Sequence, residues 1–272
     1  MVDGHYRRRR HAAALVVLAA IFPACGVRAF AQPADSSTRR RSGDPPHSLL
    51  AIGDASTSVR QHDSISHALS VIEALGLRAN LFATMIRTDT QLVTKGAIAA
   101  ATGTLTYYQN LDDFDAVLLF VEGDPPLTRQ QKSDLIAFVR SGKGLIAIHT
   151  TVGAFDSWPE FRNLLGIRGS KLDAIEKPDE VTSPGVSRFF PEPFHLRDWI
   201  VPLTLKPGTH LLASSNGSPA VWTTTYARGR VFVSQLGHDD QTWDRQDVQQ
   251  MMLEGVRWAM EDGKRRGAKT PL

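Results

Sequence analysis

The sequence predicts an α/β domain built on a mostly parallel sheet, and three observations carry that prediction. Short runs of large apolar residues without polar alternation recur, as in Ala116 to Val121 and Leu145 to Ile148. Such runs fit strands covered on both faces. Segments with helical spacing and capping signatures lie between them. Strand and helix then alternate, which argues for βαβ units with right-handed crossovers.

Residues 1–31 have the order of an export signal. Arg7 to Arg10 form a basic region, Ala12 to Ile21 an apolar run too short to span a bilayer, and Ala29-Phe30-Ala31 an A-x-A cleavage site. An exported chain, periplasmic or secreted, beginning at Gln32 is expected; nothing around the arginines chooses between the general and twin-arginine routes. Cleavage takes away five arginines and one aspartate, leaving 26 basic and 27 acidic residues, so the net charge moves from +3 to −1. The basic pI therefore belongs largely to the leader and gives no case for a nucleic-acid partner. Cys25, the one cysteine, also lies there, so the mature chain has no disulfide, thiolate metal site or cysteine nucleophile. No later apolar run is long enough to cross a membrane.

Residues 32–46 are rich in Ser, Arg, Pro and Asp and read as a disordered linker. Residues 47–262 form the single expected domain and 263–272 a frayed basic tail. Ser48 to Asp54 is the first strand. A helix follows, with Ile65, Ala68, Leu69 and Ile72 on one face and Gly76 placed to stop it. Ala79 to Met85 is a second strand, and residues 86–113 are polar with one short helix. Ala116 to Val121 is the next strand, closed by Glu122-Gly123-Asp124. Thr128 to Gln131 is a capping box opening a helix that carries Leu135, Ile136 and Val139. Leu145 to Ile148 runs straight into His149, and Ser157 to Glu160 has the spacing of another capping box. Residues 166–207, with six prolines and several aromatics, read as an irregular segment or small β insertion, a candidate wall or lid. Val221 to Tyr226 and Arg230 to Gln235 form a hairpin. Val248, Met251, Met252, Gly255 and Ala259 mark a closing helix.

Four of these strands end in polar groups, Asp54, Glu122, His149 and His238. In a parallel sheet those ends share the carboxyl edge, where open α/β folds bind ligands. His62 lies in the loop leaving the first strand and opens toward the same edge. Imidazoles suit acid–base work near neutrality; three of them with a carboxylate also suit a zinc-like ion. No H-x-x-x-H spacing singles out the metal reading. Asp54 and Glu122 fit bases, hydroxyl acceptors or strand caps equally. The flat faces of Trp158 and Trp243 suit a sugar ring, though core packing is the favoured reading for each.

The stretches Arg60 to Ile65, Asp115 to Phe120, Gly142 to Thr151 with Trp158 to Phe161, Gly229 to His238 and Gly255 to Ala259 together resemble the trehalose-utilisation (ThuA-like) family. That resemblance implies a flavodoxin-like, three-layer sandwich related to class I glutamine amidotransferases, and an association with disaccharide metabolism. In the amidotransferases the strand end matching His149 carries a nucleophilic cysteine; with none here, glutamine hydrolysis by that route is excluded. This chain departs from the family's pattern at Ile167 to Ser170, where a further histidine is common, at Ser183-Pro184 in place of His-Pro, and at Asp198-Trp199 in place of Asp-Glu.

The resulting expectation is an exported carbohydrate-processing enzyme, of hydrolase or lyase type, acting on a sugar or keto-sugar. His149 and His238 form the acid–base pair with His62 in support; Asp54, Glu122, Thr150, Trp158, Asp198 and Asp239 bind substrate. No cofactor is assigned outright, a divalent metal on His62, His149 and His238 being the alternative. The expected partner is a small carbohydrate, with a homo-oligomer left open. The competing reading is a catalytically silent carbohydrate- or partner-binding protein on the same scaffold.

Overall fold

The computed structural model describes residues 45–57, 62–96, 98–99, 105–107, 109–169 and 178–261. The expected leader, most of the linker and the basic tail lie outside the described residues, as do Arg60, Gln61 and Ser170.

The described elements follow in order as β1 (His47–Asp54), α1 (Ser64–Arg78), β2 (Phe82–Arg87), β3 (Ile98–Ala99), β4 (Leu105–Tyr107), β5 (Ala116–Val121), α2 (Arg129–Arg140) and β6 (Gly144–Ile148). Then come α3 (Pro159–Leu164), β7 (Ile167–Arg168), β8 (Asp179–Ser183), β9 (Phe194–Asp198), β10 (Thr204–Leu205), β11 (His210–Ser215), β12 (Ser218–Tyr226), β13 (Gly229–Ser234), α4 (Asp240–Asp244) and α5 (Gln246–Met260). Nine strands make one sheet in the order β2-β1-β5-β6-β13-β12-β11-β8-β9. From β2 to β13 the neighbours are parallel, and from β13 to β9 antiparallel.

The uninterrupted apolar strands are explained by the two layers that cover the sheet. In β1, Leu49 and Ala51 share a buried cluster with Ile72 of α1 and Met251 of α5, whereas Leu50 and Ile52 share the opposite cluster with Leu135 and Phe138 of α2. Successive side chains of a strand point to opposite faces, so both must be apolar when helices cover both. This is the expected three-layer sandwich. Thr128 caps α2 by the predicted box, its hydroxyl accepting from Gln131 N while Gln131 returns a carbonyl to Thr128 N. Among the described residues no helix is long and apolar enough to cross a membrane.

Several local expectations give way to tertiary packing. Gly76 does not stop α1, which runs two residues further. Its lack of a side chain serves packing instead, because a Cβ there would stand 2.3 Å from the Phe82 ring. The second strand begins at Phe82, later than predicted, the chain after α1 first turning through Asn80 at φ 45°. The polar stretch before β5 holds a 3-10 turn at Leu111–Asp113, capped by Asn110, rather than an α-helix. Ser157 does not cap α3: Trp158 is the N-cap residue with no side-chain bond, and Pro159 opens the helix. Ser157 Oγ instead accepts from Lys132 Nζ. In the described part of the proline-rich stretch, β8 and β9 extend the main sheet through β11, a strand the sequence reading missed.

Candidate functional site

The parallel half of the sheet delivers β1, β5, β6 and β13 to one edge, and the chain leaves each strand through a polar residue. At the end of β6 the backbone turns sharply, with His149 at φ 48°. This left-handed conformation is uncommon outside glycine and tends to mark functional turns. The two following threonines pin the turn to β5. Thr150 Oγ1 donates to Val121 O, and Thr151 Oγ1 donates to Leu119 O while accepting from Val121 N. Thr151 is thus a structural fastener, while Thr150 also lines the cavity beyond the sheet edge.

Three imidazoles converge there. The ring of His62 lies 4.8 Å from that of His149 and 4.9 Å from that of His238, and the latter two are 5.4 Å apart, all edge to face. One nitrogen from each falls within 4.8 Å of the others, a cluster compatible with a metal ion. His62 Nδ1 lies 3.1 Å from Glu122 Oε2, and its Nε2 is 3.2 Å from His238 Nδ1. His149 Nδ1 donates to the backbone oxygen of Gln235 at 2.7 Å, which leaves Nε2 as its unprotonated nitrogen. Burial first, and then the neighbouring His62 and His238, push the His149 pKa down to about 3. Burial, then His62, also lowers His238. Charging either His149 or His238 costs solvation and adds like-charge repulsion. At neutral pH His149 is therefore a neutral lone-pair donor, poorly suited to hold or release a proton.

The cavity, of about 960 Å³, is lined by these three residues with Glu122, Thr150, Trp199, Gln235 and Asp239 among others. Asp239 also accepts from Thr242 N as the N-cap of α4. The structure thus brings together His62, His149, His238, Glu122, Thr150 and Asp239 from the predicted set. Three predicted contacts, Asp54, Trp158 and Asp198, fall elsewhere, and Trp243 takes the core packing favoured for it. Asp54 is buried and accepts from Ser56 N, capping the turn after β1 instead of facing the cavity. Trp158 packs in the core, edge to face with Phe155 and tilted against Phe161. Trp243 is likewise core, its indole nitrogen donating to Gly237 O.

Asp198 is 1% exposed and acts behind the site. Its carboxylate accepts from Gly237 N at 2.8 Å and Trp199 N at 2.7 Å, and also from the backbone of His238. One side chain thereby holds both the loop carrying His238 and the indole beside it. Burial raises the Asp198 pKa to about 6 against these hydrogen bonds. Gly237 stands at φ 128° with the Trp243 indole about 3 Å from where a Cβ would be, so the turn ahead of His238 requires glycine.

Two site residues escaped the sequence reading. Trp199, not Trp158 or Trp243, is the aromatic of the cavity, with its ring 5.2 Å from that of His238. The signal for it was the single tryptophan directly after Asp198 in the insertion. Gln235 is 1% exposed; its side-chain oxygen accepts from Val201 N and its amide donates to Val201 O and Pro219 O. Those bonds fix the segment whose backbone oxygen orients His149. It lay in plain view as a polar residue ending an apolar strand.

Known proteins give this geometry a family context. No curated protein matches the sequence. Among solved structures, a ThuA-like protein from Parabacteroides merdae superposes with a TM-score of 0.61 at 19% identity, covering 83% of this chain and 93% of that one. A ThuA-like protein from Bacteroides uniformis gives 0.62 at 15% identity, covering 84% and 97%. A β-galactosidase from Bacillus circulans sp. alkalophilus gives 0.51 at 11% identity over 80% of this chain but 31% of that one, a likeness of fold alone. The profile of the ThuA family, described as trehalose utilisation, matches residues 54–259, from the end of β1 to the last turn of α5. The chain therefore belongs to the ThuA family.

Proposed function

We propose that this protein is an exported carbohydrate-processing enzyme, of hydrolase or lyase type, acting on a sugar or keto-sugar in the cavity at the carboxyl edge of the sheet. The observation that carries the reading is the convergence of three imidazoles, each from a separate loop, beside an indole in one open cavity. A sugar presents hydroxyls and an apolar ring face. Glu122 and Asp239 are acceptors suited to the first, and Trp199 offers a surface suited to the second. The family's association with trehalose utilisation supports a carbohydrate over other polyols. Export rests on the order of basic, apolar and small residues in the first 31 positions.

The roles within the cluster differ from a simple His149–His238 pair. His62, whose Nδ1 meets Glu122, is backed as a proton-transfer group by that carboxylate. His238, only partly buried and beside Asp239, is the second such group. His149, neutral and anchored to Gln235, supplies a fixed lone pair. A divalent ion is the cofactor such an arrangement accepts.

A screen of trehalose, related disaccharides and their keto forms tests this reading. Turnover is expected for the wild type and a loss of about 10²-fold or more in His238→Ala and His62→Ala, as for positioned acid–base groups. Ground-state affinity should change far less. Saturable sugar binding without turnover would move the protein to the binding-module reading, and full activity in both variants would remove the imidazoles from the chemistry.

A further inference from the structure

We infer that His62 Nε2, His149 Nε2 and His238 Nδ1 are the three protein ligands of one divalent ion of the zinc class, with the fourth coordination position open to the cavity. The inference rests on the functional reading above and deepens it at the same cavity: metal ligation takes the place of the proton-transfer roles given there to His62 and His238.

The choice of atoms follows from what the other ring nitrogens already do. His62 Nδ1 is engaged by Glu122 and His149 Nδ1 by the Gln235 carbonyl. Each ring is thus held from behind by an oxygen acceptor that fixes its tautomer and leaves Nε2 unprotonated. Histidines that ligate metals characteristically carry such a carboxylate or carbonyl partner. His238 reaches the same point through Nδ1, 3.2 Å from His62 Nε2. Metal–nitrogen bonds of about 2.0–2.1 Å at tetrahedral angles place ligand nitrogens about 3.3–3.4 Å apart. One pair already stands near that spacing, and all three nitrogens lie within 4.8 Å. Closing the remainder requires side-chain rotation on the order of an ångström.

The protonation chemistry balances without an outside base. With no ion present, the short His62–His238 contact needs one proton between two lone pairs, and the Glu122 bond assigns His62 its proton at Nδ1. His238 Nδ1–H is then the donor. Ligation moves that proton to His238 Nε2, a tautomer change with no net release. Three imidazoles with no thiolate suit zinc and its first-row neighbours rather than magnesium or calcium, which take oxygen ligands. An open fourth position admits a water or a substrate oxygen.

Beyond the inner ligands, Asp198 holds the Gly237–His238 backbone and Gln235 the His149 ring. Metal affinity should therefore respond to residues that never touch the ion.

The test uses untagged full chain, stripped with a chelator and titrated with zinc chloride alone, with metal content measured by elemental analysis after dialysis. About one ion per chain is expected, together with the visible absorption of four-coordinate cobalt when Co²⁺ replaces zinc. His238→Ala and His62→Ala should lose the bound ion while keeping the wild-type far-ultraviolet circular dichroism, which guards against a variant that fails to fold. Glu122→Gln should weaken zinc binding by about 10–100-fold, as loss of an outer partner does. His67→Ala, at a half-buried histidine paired with Asp244 and outside the cluster, should change nothing. Absence of saturable zinc binding by the wild type, or undiminished binding by His238→Ala and His62→Ala together, overturns the assignment. Stoichiometric zinc without turnover of any sugar would sink the enzymatic reading and leave the metal centre standing; turnover by zinc-free protein that binds no ion would do the reverse.

Discussion

His149→Asn gives a direct measure of how strongly the fold insists on a neutral imidazole at the end of β6. Asparagine is tolerated at positive φ, and its amide nitrogen can replace Nδ1 as donor to the Gln235 carbonyl. What the variant loses is the titrating group. His149 falls from an ordinary value of 6.5 to about 3 on folding, first through burial, then through the like charges of His62 and His238. The folded-state pKa is depressed, so the stability contributed by the neutral ring is fully present above pH 6.5 and drains away as pH falls toward 3. Each pH unit inside that window costs about 1.4 kcal/mol, or about 2 kcal/mol by pH 5. Other groups, including Asp198 with its opposite shift, titrate in both proteins and to first order cancel in the difference. The assay is urea unfolding of metal-stripped wild type and variant at half-unit steps from pH 7.5 to 5. The wild-type minus variant difference should be flat above pH 6.5 and then fall at that slope. A difference that stays constant down to pH 5 would show that His149 protonates freely in the folded protein, and the case for it as a fixed lone-pair donor would collapse.

Three further outcomes follow from particular contacts. Trp199→Ala should weaken sugar binding by isothermal calorimetry with little change in melting temperature, since the ring is only partly buried, whereas Trp158→Ala should cost about 3–5 kcal/mol of stability as a core truncation. Asp198→Asn replaces one carboxylate oxygen, so the amides of Gly237, Trp199 and His238 lose an acceptor; turnover and zinc affinity should both fall at pH 7, measured against unchanged Trp158 packing in the near-ultraviolet dichroism. Gly76→Ala should lower the melting temperature despite a helix-propensity gain of about 1 kcal/mol, because overpacking costs about 1–3 kcal/mol and the new methyl would meet Phe82 ring and backbone atoms at 2.3–2.6 Å.

Much of the frame was legible because its causes are local. An apolar run such as Ala116 to Val121 must be covered on both faces wherever it sits, so β5 was readable to the residue. The Thr128–Gln131 box names its own helix start, since donor and acceptor lie three residues apart. The histidines ending β6 and following β13 were identifiable for the same reason: a polar group ending an apolar strand marks the sheet edge, and parallel neighbours put both at one edge. The family resemblance rested on those same segments, and the match over residues 54–259 bears it out.

What composition and spacing could not decide were the contacts between distant residues. Trp158 and Trp199 are both tryptophans beside polar residues; one is core and the other lines the cavity because of where α3 and the turn after β9 pack. Asp54 and Glu122 end neighbouring strands alike, yet Asp54 folds back on Ser56 while Glu122 reaches across to His62, 60 residues away. Asp198 serves the cavity from the edge strand of the sheet, through amides 39 residues further on. The proton state of His149 likewise depends on its burial and on two rings brought in from other loops. Solvation and charge interactions depend on distance in space and not along the chain, so the residue types were written in the sequence and their roles were assigned by the fold.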